Sequence, residues 1–303
     1  MNKEFRSGSV AVIGRPNVGK SSLLNAILQY KLSIVSPKPQ TTRDNILGLY
    51  NGDSCQIVFM DTPGIHRPHN RLGEKLVERA VTELNDADLV LFVITIDDRA
   101  DQNENLHIIE TLNACRNATV VLAVNKIDLP GAQMKILPLI DEFSKKIKIA
   151  AAVPVSARSN INIDKLIQEI ENLLPENLPL YPDDMITDRS ERFMAQEVIR
   201  ESIISKTDEE VPHSVAVEVT DYKSPDEYPE RKDLLIRATV YVEREGQKAI
   251  ILGKNGRKIK AIGTAARKTL EEMTGHKVYL ELWVKVSRGW RDSETELKKL
   301  GYQ

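Results

Sequence analysis

The sequence predicts a mostly parallel α/β sheet with helices on both faces, followed by a small α+β domain. Three observations carry this. Residues 8 to 174 alternate short apolar runs with amphipathic stretches, the pattern of a parallel sheet covered on both sides. "LPENLPLYPDD" then places three prolines in eleven residues, a linker signal. Beyond it the rhythm changes to alternating segments around a helical region broken by "GKNG". The boundaries follow as 1–178 for the first domain, 179–187 for the linker and 188–303 for the second.

In order, Val10-Ala11-Val12-Ile13 reads as a buried strand, and Leu23, Leu24 and Ile27 fall at helical spacing after it. "NILGLYN" fits an antiparallel strand just before "CQIVFMD". "LVLFVITI", "TVVLAVNK" and "AAVPVSA" are the further strands, with helices expected near 101–115, 133–147 and 162–174. In the second domain Asp188 and Glu191 form the pattern of a capping box opening "DRSERFMAQEVIRESII". "HSVAVEV" and "LLIRATVYVE" alternate as strands. A helical region runs from Gln247 to Met273, "KVYLELWVKV" is a last strand, and a short charged helix lies near "RDSETELKKL".

Composition narrows the function classes. A net charge of −2 over 303 residues confines any polyanion-binding surface to a local patch. Cys55 and Cys115 have no paired spacing, which argues against a disulfide framework or a zinc site and fits a reducing cytosol. The longest apolar run, from Leu89, has eight residues, too few to span a membrane. The N-terminus lacks an apolar signal segment. His66 and His69 share a loop without further ligand neighbours and read as solvated.

The chemistry concentrates first in "GRPNVGKSSLLN". Gly14, Arg15, Pro16, Asn17, Val18, Gly19, Lys20, Ser21 and Ser22 join a strand to a helix, the context in which G-x-x-x-x-G-K-S cradles phosphates. Backbone N–H groups and the positive helix end bind phosphate oxygens. Lys20 is placed to reach β- and γ-phosphates, and the Ser21 hydroxyl to ligate Mg²⁺. The strand end "AVNKID" addresses the base. The Asp128 carboxylate can accept from two adjacent N–H donors, an edge that guanine has and adenine lacks. Asn125 can bond near N7, and the Lys126 stem can cover the base face. Ser156, Ala157 and Arg158 suit a loop whose amides meet the base carbonyl. In "MDTPG", Asp61 can reach Mg²⁺ through water; Thr62, Pro63 and Gly64 follow, with the Gly64 N–H near the γ-phosphate. Thr42 in "TTRD" is the candidate to complete the Mg²⁺ shell, with Thr41 as the alternative.

Between Gly246 and Leu270 stand seven Lys or Arg and no Asp or Glu. They surround a G-x-x-G loop of the kind that clamps about four single-stranded nucleotides. Gly253 and Gly256 permit close approach around Asn255. Lys254 and Lys258 meet phosphates, and Ile250, Ile251 and Ile259 line an apolar groove for bases.

Gly14–Ser21, Thr42, Asp61–Gly64, Asn125–Asp128 and Ser156–Arg158 resemble the five sequence boxes of translation-factor-type GTPases. With "GKNG", "DRSERFMAQEVIRE" and "LELWVKV" the resemblance narrows to the Era family of bacterial GTPases and covers essentially the whole chain. It implies an α/β P-loop GTPase domain followed by a KH-type domain. It further implies GTP hydrolysis with Mg²⁺, using Lys20, Thr42 and Gly64, and GTP or GDP as ligand. A role in small-subunit maturation follows, at the single-stranded 3′ end of 16S rRNA and on the 30S subunit. A cytoplasmic monomer with peripheral association at the inner face of the cell membrane is the expected state. In related GTPases the asparagine equivalent to Asn17 can hold potassium near the phosphates. Ile65 stands where many small GTPases carry a water-orienting glutamine, so slow intrinsic hydrolysis is expected. Two other readings stay open: an RNA-binding protein whose GTP site does not turn over, and a membrane-associated cell-cycle GTPase.

Overall fold

The computed structural model describes residues 4–33, 46–61, 71–115, 118–208 and 211–302. The chain divides into two compact units, with the boundary between Asp188 and Arg189. In the first unit β1 (Arg6–Ile13), β2 (Ile46–Asn51), β3 (Cys55–Asp61), β4 (Leu89–Thr95), β5 (Val120–Asn125) and β6 (Ile149–Pro154) form one sheet in the order β2-β3-β1-β4-β5-β6. All neighbours pair in parallel except β2, which is antiparallel to β3. Every residue of β4 and β5 is buried, as strands covered on both faces must be.

The helices are α1 (Lys20–Leu28), α2 (Arg71–Asp86), α3 (Asn103–Ala114), α4 (Ala132–Ser144) and α5 (Ile163–Leu173). One core joins alternate residues Val90, Phe92 and Ile94 of β4 and Leu122 and Val124 of β5 to Ile108 of α3 and Leu139 and Phe143 of α4. Phe92 and Phe143 meet edge to face, with ring centroids 5.7 Å apart. On the other face α1 and α5 bury Leu23, Leu24, Leu166 and Ile170. The helix α2 is an addition to the helices expected near 101–115, 133–147 and 162–174. Its mean hydropathy is low, but Leu72, Leu76 and Leu84 recur on one face at helical spacing and are buried.

The proline-rich segment is fastened to the first unit. The buried Gln56 amide accepts from Leu180 N at 2.6 Å and Tyr181 N at 2.9 Å, and donates to Tyr181 O at 2.9 Å. Further on, Leu49 N donates to Ile186 O at 2.8 Å. Proline has no N–H to give to a ladder, and these bonds, from the Gln56 side chain and the β2 backbone, take the place of regular structure.

The second unit carries a three-stranded sheet, β7 (Ala216–Lys223), β8 (Leu234–Val242) and β9 (Val278–Val286). The pair β7–β8 is antiparallel and β8–β9 parallel. Helices α6 (Glu191–Lys206), α8 (Glu245–Leu252) and α9 (Arg257–Thr274) pack against it, with short helices α7 (Val211–Ser214) and α10 (Glu294–Lys299). The expected cap at Asp188 is corrected. Ser190 caps α6, its hydroxyl accepting from Phe193 N at 3.3 Å, because it sits the three residues from Phe193 that the bond requires. Trp290 is fully buried, donates its indole N–H to Ser214 O at 3.1 Å and stacks on Tyr302. Among the described residues no helix is long and apolar enough to cross a membrane.

Candidate functional site

The sheet order makes the site. Strands β1, β3, β4 and β5 all point their C-terminal ends to one edge, with Val12 level with Asp61 and Thr95 level with Asn125. The chain leaves β1 between β3 and β4, on opposite sides of which it continues. Open α/β sheets bind ligands in the crevice at such a switch point.

The loop from Gly14 to Gly19 fills that crevice with its carbonyls tied back. Lys20 Nζ donates to Gly14 O at 2.8 Å and Arg15 O at 3.2 Å. Lys126 Nζ reaches Asn17 O at 2.8 Å, and Asn125 Nδ2 reaches Val18 O at 2.9 Å. Asn17 takes φ 65 and Gly19 φ 96. A Cβ on Gly19 would stand 2.5 Å from Asn125 Nδ2, so glycine is required there by both space and backbone. Gly19 is also the left-handed N-cap of α1, with no side-chain cap. The helix therefore opens with no side chain of its N-cap over its positive end, which suits an anion.

Lys20 is buried beside Asp61. Burial pushes its ammonium down to about 8, while the Asp61 carboxylate opposes the shift. Ser21 Oγ donates to Asp61 Oδ2 at 3.2 Å. Hydroxyl and carboxylate together form the hard-oxygen donor set that Mg²⁺ takes, so these residues fit that ion.

The base loop lies at the ends of β5 and β6. Ser156 is fully buried and donates to Asp128 Oδ1 at 2.6 Å, which orients an otherwise exposed carboxylate. The Asn125 side chain is engaged at both ends. Its oxygen accepts from Lys126 N at 2.8 Å and Ala157 N at 3.1 Å. It thus braces phosphate loop and base loop against each other, and the Ala157 amide expected to meet the base is held by it. Arg158 is exposed and Ser22 half-buried. Sequence reading missed Asp98, which pairs with Arg15; a carboxylate in "IDDRA" carries no signal to separate it from any turn residue. Thr41, Thr42, Thr62, Pro63, Gly64, Ile65, His66 and His69 lie outside the described residues.

In the second unit "GKNG" links α8 to α9. Gly253 (φ 67), Asn255 (φ 53) and Gly256 (φ 72) are left-handed, and Gly256 is the N-cap of α9. A Cβ on Gly253 would come 2.6 Å from Lys258 Cβ. Lys254 and Asn255 are exposed and Lys258 and Ile259 half-buried. Ile250 is 44% exposed, but Ile251 is 0% exposed. Ile251 is corrected from groove to core: one residue along a helix rotates a side chain by about 100°.

A family model described as 50S ribosome-binding GTPase matches residues 9–126, and one described as KH domain matches residues 210–291. A crystal structure of Era in complex with MgGDPNP and nucleotides 1506–1542 of 16S ribosomal RNA is 42% identical, with a TM-score of 0.93 over 98% of this chain and 99% of that one. This chain belongs to the Era family. A second Era structure, a tyrosine-to-alanine variant from Aquifex aeolicus bound to GDP and AlF4⁻, is 43% identical, with a TM-score of 0.92 over 98% and 99% of the two chains. The Era-family architecture of a P-loop GTPase domain followed by a KH domain is that of the two units described above.

Proposed function

We propose that this Era-family protein is a GTP-hydrolysing, RNA-binding switch in maturation and assembly of the small ribosomal subunit, acting at the single-stranded 3′ end of 16S rRNA. The observation that carries the reading is the joining of phosphate loop and base loop through Asn125, with a basic G-x-x-G loop on the same chain. That bracing sets a polyphosphate cradle at a fixed distance from a carboxylate that selects guanine.

In this reading the loop amides and the α1 N-terminus hold the phosphates, and Lys20 faces the charge that builds on them during transfer. Ser21 and Asp61, with Thr42, would hold Mg²⁺, which would supply positive charge to the phosphate oxygens. Asp128 accepts from the guanine edge, and Lys126 bridges towards Asn17. A potassium ion held near Asn17 would add positive charge there. With Ile65 after Gly64, the chain lacks a glutamine to orient water there, so unassisted turnover is slow. In the KH domain Lys254, Lys258 and the left-handed loop clamp an RNA backbone beside Ile250 and Ile259. The protein works as a cytoplasmic monomer on the 30S subunit and associates peripherally with the inner face of the membrane. The domains are 1–178 and 188–303, joined by 179–187.

Titrating a fragment of the 16S rRNA 3′ end into GTP- and GDP-loaded protein, alongside phosphate release, tests this. The switch requires different RNA affinities in the two states, and RNA must then shift nucleotide affinity by the same factor. Equal affinities would remove the switch; absent turnover with and without RNA would favour a structural GTP site.

A further inference from the structure

The phosphate loop is held from a direction that its own motif does not encode. Arg15 Nε pairs with the Asp98 carboxylate, 83 positions along the chain. The Asp98 side chain is wholly excluded from solvent, while that of Arg15 keeps 27% exposure. The anchor is itself built. Thr95 N donates to Asp98 Oδ2 at 2.7 Å, and Asp98 N returns to Thr95 O at 3.0 Å, closing a turn at the end of β4. Ala100 N donates to Glu142 of α4 at 2.7 Å, and the Asn105 amide of α3 to Arg99 O at 2.9 Å. The turn is thus fastened to two helices before it meets the loop.

A turn needs no buried charge. Asparagine or serine would close it without the desolvation cost of a carboxylate. What the carboxylate adds is a grip on Arg15, whose carbonyl in turn accepts from Lys20 Nζ at 3.2 Å. One residue therefore connects Asp98, through its side chain, to the phosphate-facing ammonium, through its main chain.

We propose that Asp98 is a positioning residue for GTP hydrolysis, which by gripping Arg15 orients the carbonyl against which Lys20 aims its remaining N–H bond. This rests on the loop being a hydrolytic GTP site. Donation from Lys20 strengthens as charge moves in the transition state, so misaiming it lowers kcat more than ground-state binding. The far half of the loop is held separately by Asn125 and Lys126, so binding of the phosphates persists.

The test compares wild type, Asp98→Asn, Arg15→Gln and the double variant in steady-state GTP hydrolysis and GDP affinity. Asp98→Asn keeps an oxygen for Thr95 N and removes only the charge. Each single change should lower kcat about tenfold, with KM and GDP affinity within about threefold. The double variant should fall no further than the weaker single, because both act through one contact. Multiplying effects, or a lowered Tm with kcat unchanged, would overturn the proposal. Should Asp98→Asn not fold, the half-exposed Arg15 carries the test alone. Arg15→Gln should lose kcat, and Arg15→Lys, which retains the charge, should recover part of it; equal kcat in all three overturns the proposal. Wild-type protein without turnover, or Lys20→Ala with normal turnover, would instead overturn the GTPase reading itself.

Discussion

Both domains present a glycine loop that opens a helix, and the two are built to opposite ends. Gly19 and Gly256 are each left-handed N-caps without a side-chain cap. In the first loop the carbonyls of Gly14, Arg15, Asn17 and Val18 are tied by Lys20, Lys126 and Asn125. In the second the backbone bonds are local, from Gly253 N to Ala249 O and from Gly256 N to Gly253 O. A loop for one small polyphosphate gains from being fixed in every peptide plane, since preorganised donors need no rearrangement during reaction. A loop for a polymer backbone gains from standing exposed among cationic side chains.

The largest effect should come from the fixed loop. Lys20→Ala is expected to lower hydrolysis by on the order of a thousandfold and weaken GTP binding, with the circular dichroism spectrum unchanged. Phosphate release at the wild-type rate would show the loop to be a turn only. Next, Asp128→Asn should weaken GTP binding by on the order of a hundredfold and favour xanthosine nucleotides, whose position 2 carries oxygen. Competition binding checks this, and wild-type protein that took ATP as well as GTP would end the base argument.

The fixed loop should also show a pH limit. Burial lowers Lys20 to about 8, so the free protein loses this proton as pH rises through that value. kcat/KM for GTP should then fall about tenfold per unit above pH 8, while kcat stays flatter because bound phosphates hold the proton. The sign for stability is opposite. The native state binds fewer protons than the unfolded chain between that value and the ordinary lysine range, so this group's contribution rises with pH there. A kcat/KM profile flat to pH 10 would break the assignment.

The second loop should respond to charge. Replacing Lys254 and Asn255 by Asp should reduce RNA affinity about tenfold and flatten its salt dependence by about 0.7 in slope per lost phosphate. GTP binding should not change. The smallest effect is geometric. Gly253→Ala forces a Cβ against Lys258 at positive φ, costing about 1–3 kcal/mol of local strain. RNA affinity should drop a few-fold with normal GTP hydrolysis, and unchanged RNA binding would show that this backbone is not part of the clamp.

Much of this was written locally. Apolar runs of strand length and helix-period stretches depend on neighbours within a few residues, so alternation alone pointed to both fold classes. The G-x-x-x-x-G-K-S and G-x-x-G loops were legible for the same reason, since each is a contiguous backbone shape with its glycines in place. Tertiary structure decided what lies behind them. Asn125 meets Val18 and Ala157, Lys126 meets Asn17, and Asp98 meets Arg15 only because parallel strands bring remote ends to one edge. Ile250 and Ile251 are equal in sequence, and helix rotation sends one to solvent and the other to the core. Residue type and spacing specify which groups can bind phosphate or base. Sheet order and register specify which of them are held still, because that depends on contacts a hundred residues apart that no local pattern encodes.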